Sequence, residues 1–106
     1  MSITDIEKAL SDICDNNQNM LVPWYLMAAY AYYVEDDPIV GDSVFDLMAK
    51  RILDQWDQIE HRHKDCLTKD MLVAGTFLGE YPPQVEGAVR DIRDTYKRKR
   101  KRRSVR

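Results

Sequence analysis

Ala31-Tyr32-Tyr33-Val34-Glu35-Asp36-Asp37-Pro38-Ile39-Val40-Gly41-Asp42-Ser43-Val44-Phe45-Asp46 joins the aromatic end of one helix, a proline turn and the start of a second helix bearing two spaced carboxylates. Two helices meeting at a tight turn set the architecture, and the side chains around the turn look like a ligand site as well as a core. Asp42, with Ser43 behind it, stands where an N-cap belongs, so the amide hydrogens and dipole of the new helix are offered to an anion or a ribose. Asp46 falls four residues on, over the same face. Tyr32 and Tyr33, folded back toward Phe45, give an aromatic wall beside the carboxylate pair. Because the two tyrosines are adjacent, they are expected to face different ways, with at least one packed inward. Such a pocket suits a flat, cationic ring bearing hydroxyls. The plainer alternative is that Asp42 only caps its helix and Asp46 is a solvated surface acid.

Outward from this stretch the apolar period is helical nearly everywhere, with no strand alternation and no internal repeat. Thr4 and Glu7 have the spacing of a capping box, and Ile3, Ile6, Leu10 and Ile13 mark a short first helix ending near Asp15-Asn16-Asn17. Pro23 suits the first turn of a second helix carrying Trp24, Met27, Ala28, Ala31 and Tyr32. From Asp42, the positions Phe45, Met48, Ile52, Trp56 and Ile59 predict a long third helix to about His63, the backbone of the domain. Thr68 or Asp70 opens a shorter segment ending at Gly75 or Gly79, and Pro82-Pro83 starts a last helix with Val85, Val89, Ile92 and Tyr96. The expected fold is all-α, a small bundle of about five helices. Trp24, Trp56 and Met48 lie on these apolar stripes and are read as core.

Charge divides the 106 residues unequally. Lys97, Arg98, Lys99, Arg100, Lys101, Arg102, Arg103 and Arg106 hold eight of the sixteen basic residues, and all eighteen acids precede them. Residues 1–96 therefore carry −10 and the remainder +8, which divides the chain into a helical domain (1–96) and a basic tail (97–106). A run of like charge reads as a disordered, solvated tail, and equally as a nucleic-acid-binding segment attracted to phosphates without base specificity. With no aromatic beyond Tyr96, it is no stacking platform for single strands.

Several classes are excluded or disfavoured. The longest apolar run, Leu21 to Val34, is interrupted by Pro23 and falls short of the ~20 residues a bilayer requires. The N-terminus shows no signal-type core, and Cys14 and Cys66 are too few for a disulfide framework, so a cytoplasmic location is expected. His61, His63 and Cys66 superficially suggest a metal site. On a helix, however, the two imidazoles would point about 200° apart, and a fourth ligand is missing, so no metal is expected. There is no His-Glu-x-x-His, no Gly-x-Ser-x-Gly and no phosphate-cradling glycine loop.

The segment from Tyr32 to Asp46 resembles the N-terminal helical subdomain of bacterial NAD-dependent DNA ligases, whose signature runs approximately Tyr-(His or Tyr)-Val-x-Asp-x-Pro-x-(Ile or Val)-x-Asp-x-x-Tyr-Asp. The similarity extends from about Tyr25 to His63, where Ile59-Glu60-His61-Arg62-His63 stands for the family's Leu-Glu-x-x-His about one turn late. In that family the subdomain closes over NAD and grips its nicotinamide mononucleotide half. The resemblance implies NAD or nicotinamide mononucleotide as ligand, with Tyr32, Tyr33, Asp42, Phe45 and Asp46 as the contact residues. Phe45 departs from the family's usual tyrosine, removing a hydroxyl whose hydrogen bond would contribute about 0.5–1.5 kcal/mol.

The family's adenylylating lysine lies in a Lys-x-Asp-Gly motif on a separate, larger domain. Gly41, Gly75, Gly79 and Gly87 follow Val40, Ala74, Leu78 and Glu86, so no Asp-Gly pair occurs. Catalysis by this sequence alone is therefore not expected. The favoured expectation is a non-catalytic helical protein of DNA metabolism that binds nucleic acid or a protein partner through its basic tail and acidic body. The alternative is a module binding NAD or nicotinamide mononucleotide that works with a separate adenylylating subunit or sequesters the nucleotide. A separately encoded fragment of this kind would suit a phage genome. Neither oligomeric state nor partner identity follows from the sequence.

Overall fold

The helices form where apolar residues recur at helical spacing, and the chain turns where proline, glycine or short polar residues interrupt them. The computed structural model describes the backbone of residues 3–75, 77 and 79–105, and the side chains of residues 5–75, 77 and 79–95. Five α-helices result: α1 (Ile3–Asn16), α2 (Leu21–Ala29), α3 (Asp42–Asp54), α4 (Lys69–Ala74) and α5 (Pro83–Val105). Among the described residues there is no strand, as the helical periodicity predicts. The basic side chains Lys97 to Arg103, and Arg106 altogether, lie outside the described residues.

The centre of the bundle is α2, not α3. Every residue of α2 except Pro23 is buried, which is the pattern of a helix surrounded on all sides. Ile6, Leu10 and Cys14 of α1, Phe45, Met48 and Ile52 of α3, Leu72 of α4, and Val85 and Val89 of α5 join it in one continuous core. Cys14 takes the inward place expected of Ile13, which is 39% exposed. The spacing 6, 10, 14 keeps a single face turned inward, whereas 13 rotates off it. Trp24 and Met48 are core as expected, and Trp56 is partly buried against it.

Two helix boundaries differ from the sequence reading. Helix α1 already contains Thr4, so Thr4 does not precede the helix as an N-cap, and Glu7 instead accepts a hydrogen bond from the Gly41 amide at 2.7 Å. Helix α3 ends at Asp54 rather than near His63. Asp54 and Asp57 stand at the negative end of its dipole, where carboxylates oppose continuation. The chain then folds through turns that still bury Ile59. This loop is anchored by the Glu60 amide donating to Asn19 Oδ1 (2.8 Å) and by Lys64 Nζ donating to the Trp56 carbonyl (2.6 Å). Helix α4 follows its signals closely. Thr68 accepts from the Met71 amide at its start, and Gly75, at φ 69°, ends it in the left-handed conformation.

Candidate functional site

At the end of α2 the winding loosens into one π-helical turn, Tyr30–Val34, closed by the Glu35 amide donating to the Tyr30 carbonyl (3.2 Å). The Asp37 amide then reaches back to the Ala31 carbonyl (2.9 Å), and Asp36 turns the chain at φ 52°, a conformation that Asp tolerates better than most residues. Such π turns occur frequently at functional sites. Tyr32 and Tyr33 are 40% and 45% exposed, with ring centroids 4.9 Å apart. The expectation that one of them packs inward is therefore corrected: both are exposed on the π turn.

Phe45 supplies the back of the site. It is 6% exposed and stacks on buried Tyr25 with centroids 4.6 Å apart and planes 9° apart. Its ring lies 6.2 Å from Tyr32 and 6.5 Å from Tyr33, completing the aromatic wall. Asp46, the next residue on α3, is exposed and close enough to raise the proton affinity of the Tyr25 and Tyr33 phenols. Burial is the larger cause in both, and it also pushes Tyr81 up to about 12. These phenols stay protonated near neutral pH and act as rings and hydrogen-bonding hydroxyls. Burial likewise raises both thiols, Cys14 to about 11, so neither is prepared as a nucleophile.

Asp42 departs from its expected role. Gly41 occupies the N-cap position with an extended backbone (φ −74°, ψ 164°), and Asp42 is the first residue of α3. Its carboxylate still complements the positive end of the dipole. It lies one turn before Asp46, but among the described residues no hydrogen bond or ion pair joins it to Tyr32, Tyr33, Phe45 or Asp46. The Glu7 carboxylate already meets the Gly41 amide, which makes this end of α3 less receptive to an anion than the sequence implied.

His61 and His63 also differ from expectation. They sit beyond the end of α3, and their rings are 5.3 Å apart rather than on opposite sides of a helix. The His63 amide donates to His61 Nδ1 (3.1 Å), and the described residues hold no group of three His, Cys, Asp or Glu suited to a metal ion. No described helix is long and apolar enough to cross a membrane.

Sequence reasoning missed the supports of the site. Tyr25 carries the residue pattern of core, and only its stack beneath Phe45 connects it to the aromatic wall. Arg93, from α5, donates to Glu35 Oε1 (2.9 Å), Asp37 Oδ2 (3.1 Å) and the Asp37 carbonyl. This fork fixes the turn immediately after the tyrosines, and no local signal links residues 56 and 58 positions apart. Gly75 approaches Asp46 closely, since a Cβ there would stand 2.9 Å from Asp46 Oδ1.

No curated protein and no solved structure gives a significant match to the chain. Residues 21–71 match the family of the DNA ligase-like, N-terminal NAD+-binding domain, subdomain Ia. The matched segment runs from the first residue of α2 into α4 and contains the tyrosines, Phe45 and both aspartates. The chain therefore contains a segment similar to the DNA ligase-like, N-terminal NAD+-binding domain.

Proposed function

We propose that this chain is a non-catalytic module that binds the nicotinamide mononucleotide part of NAD, or the free mononucleotide, at Tyr32, Tyr33, Asp42, Phe45 and Asp46. The observation that carries this reading is the joint exposure of Tyr32 and Tyr33 beside Phe45 and Asp46. A nicotinamide ring is flat and carries positive charge in its oxidised form. Aromatic faces attract such a ring by stacking and cation–π attraction, contributing about 0.5–1 kcal/mol at an exposed site. Asp46 supplies opposite charge and accepts hydrogen bonds from ribose hydroxyls, while Asp42 extends the acidic edge one turn back along α3. These residues hold and orient a nucleotide; nucleophilic attack on it falls to a lysine of another domain or chain.

Binding is tested by calorimetric titration with nicotinamide mononucleotide. The Asp42→Ala/Asp46→Ala variant should lose at least tenfold in affinity, about 1.4 kcal/mol, while truncation after Tyr96 leaves affinity unchanged. Undiminished affinity in the double variant overturns the assignment.

The charge asymmetry supports a second reading, in which the +8 tail binds nucleic acid or an acidic partner while the −10 body serves as scaffold or as the surface for a protein partner. If all eight charges met phosphates, the log–log salt slope of DNA binding would approach about −7. Truncation after Tyr96 should abolish that binding, and the aspartate substitutions should leave it intact.

A further inference from the structure

Helix α5 leaves the body partway along its length. Val85 and Val89 are buried, Ala88 and Ile92 pack against the core, and Arg93 holds Glu35 and Asp37. Past Arg93, Asp94 and Thr95 are exposed, yet the backbone stays helical to Val105. At 1.5 Å per residue, the stretch from Asp94 to Val105 extends the helix by about 18 Å. All 23 residues of α5 span about 34 Å, more than either of the molecule's two shorter dimensions of 26 and 23 Å, so the helix lies along the 50 Å length. Lys97 to Arg103 is an unbroken run of seven basic residues. At about 100° per residue, seven consecutive helical positions go fully round the axis, so every face of this stretch has a basic position. A helix lying on a membrane surface needs an apolar face instead, and residues 97–106 contain one apolar residue, Val105.

We infer that this projecting part of α5 enters the major groove of double-stranded DNA as a helix; the inference rests on the nucleic-acid reading of the tail and names its partner. The major groove of B-form DNA, about 12 Å wide, admits an α-helix. Phosphates line both of its walls, and basic positions on all faces meet both walls at once, whereas a flat anionic surface engages one side only. The major groove of A-form RNA is too deep and narrow for this. A single strand would call for stacking aromatics, and none follows Tyr96. Like charges three and four positions apart repel along the free helix, so phosphates that neutralise them favour the helical form. The cations also stand at the C-terminal end, where the helix dipole favours them. Residues 1–96 carry −10 and repel DNA. Arg103 lies about 15 Å along the axis from Arg93, close to two Debye lengths of about 8 Å at physiological salt. The outstretched helix thus holds the duplex away from the acidic body. Lysine and arginine meeting phosphates make this binding tolerant of sequence.

The full chain is titrated into a fluorescein-labelled DNA duplex of mixed sequence, its single strand and the matching RNA duplex, with binding read by anisotropy. The DNA duplex should bind at least about threefold more tightly than the other two. A smaller margin overturns the duplex-DNA assignment. The log–log salt slope on the duplex should be steeper than about −4, the value for half of the eight charges, and a shallower slope overturns contact with both walls. Arg100→Ala and Arg100→Pro each remove one charge, but only proline breaks the helix. Arg100→Pro should bind the duplex at least about threefold more weakly than Arg100→Ala. A smaller difference overturns the helical mode and leaves the tail reading standing. Position 100 lies beyond the Arg93 fork, and unchanged urea midpoints in both variants check that the body is intact. Dimethyl sulfate methylates guanine N7, which faces the major groove. Saturating protein should suppress that methylation, and unaltered methylation overturns the groove assignment. Duplex binding that survives truncation after Tyr96, or no binding to any of the three nucleic acids at low salt, overturns this inference and the tail reading together.

Discussion

Removing the Arg93 guanidinium should destabilise the protein and loosen the tyrosine site together. The Arg93 side chain is only 19% exposed, Glu35 is 31% and Asp37 72% exposed. The pair with Asp37 is largely solvated and contributes at most about 1 kcal/mol. The more sheltered bond to Glu35 and the bond to the Asp37 carbonyl add about 1–2 kcal/mol between them. Arg93→Ala should therefore cost about 2 kcal/mol, visible in urea as a lower midpoint at unchanged slope and in heat as a Tm lower by about 10 °C. The turn held by this fork contains Asp36 at φ 52°, a conformation costing about 1–2 kcal/mol for a residue with a Cβ. Asp36→Gly in the Arg93→Ala background should consequently recover part of the lost stability. Because the turn directly follows Tyr32 and Tyr33, Arg93→Ala should also weaken nicotinamide mononucleotide binding, although Arg93 belongs to α5 and lies outside the matched segment. A stability change under about 0.5 kcal/mol, the usual range for a surface substitution, would refute the clamp.

Three further outcomes follow from the same geometry. Burial, then His63 and Arg62, lower the His61 pKa below its usual 6.5. The unfolded chain then binds more protons just below pH 6.5, so the stability from neutral His61 is complete above that pH and lost as pH falls through the lowered value; His61→Gln should flatten this part of a urea-midpoint pH profile. Gly75→Ala should cost about 1–2 kcal/mol in urea denaturation from the left-handed backbone alone, and the new Cβ, 2.9 Å from Asp46 Oδ1, should shift the Asp46 amide resonance as the carboxylate moves. Phe45→Tyr should retain the stack on Tyr25 and, by returning a hydroxyl to the aromatic wall, strengthen mononucleotide binding about two- to tenfold by calorimetry.

The local signals that were legible are those that act over one helical turn. Apolar spacing identified five helices, Thr68 and Gly75 marked both ends of α4, and Pro83 began α5. The stretch from Tyr32 to Asp46 carried the family resemblance, and the match to residues 21–71 extends beyond the Tyr25 to His63 expected from the sequence. What escaped the sequence depends on competition between local and distant interactions. A π turn shifts the backbone hydrogen bonds from the fourth to the fifth preceding carbonyl, and nothing in Tyr30-Ala31-Tyr32-Tyr33 announced that shift or the exposure of both tyrosines. The apolar stripe through Trp56 and Ile59 reads as continuing helix, but Asp54 and Asp57 oppose its dipole and the loop buries Ile59 by turns instead. Glu7 looks like a partner for Thr4 at three residues' distance, yet its carboxylate meets Gly41 thirty-four residues away. Arg93 stands amid alternating charges on a helix that reads as surface, and only the tertiary fold brings it to Glu35 and Asp37.

The central claim is that the aromatic and acidic surface at the end of α2 and the start of α3 receives nicotinamide mononucleotide. Amide-shift mapping of isotope-labelled protein during titration with this ligand tests it most directly. The account predicts saturable shifts concentrated in residues 32–46, with the largest at Tyr32, Tyr33 and Asp46, and their disappearance in the Asp42→Ala/Asp46→Ala variant. Absence of shifts at millimolar ligand, or equal shifts in the variant, would contradict it.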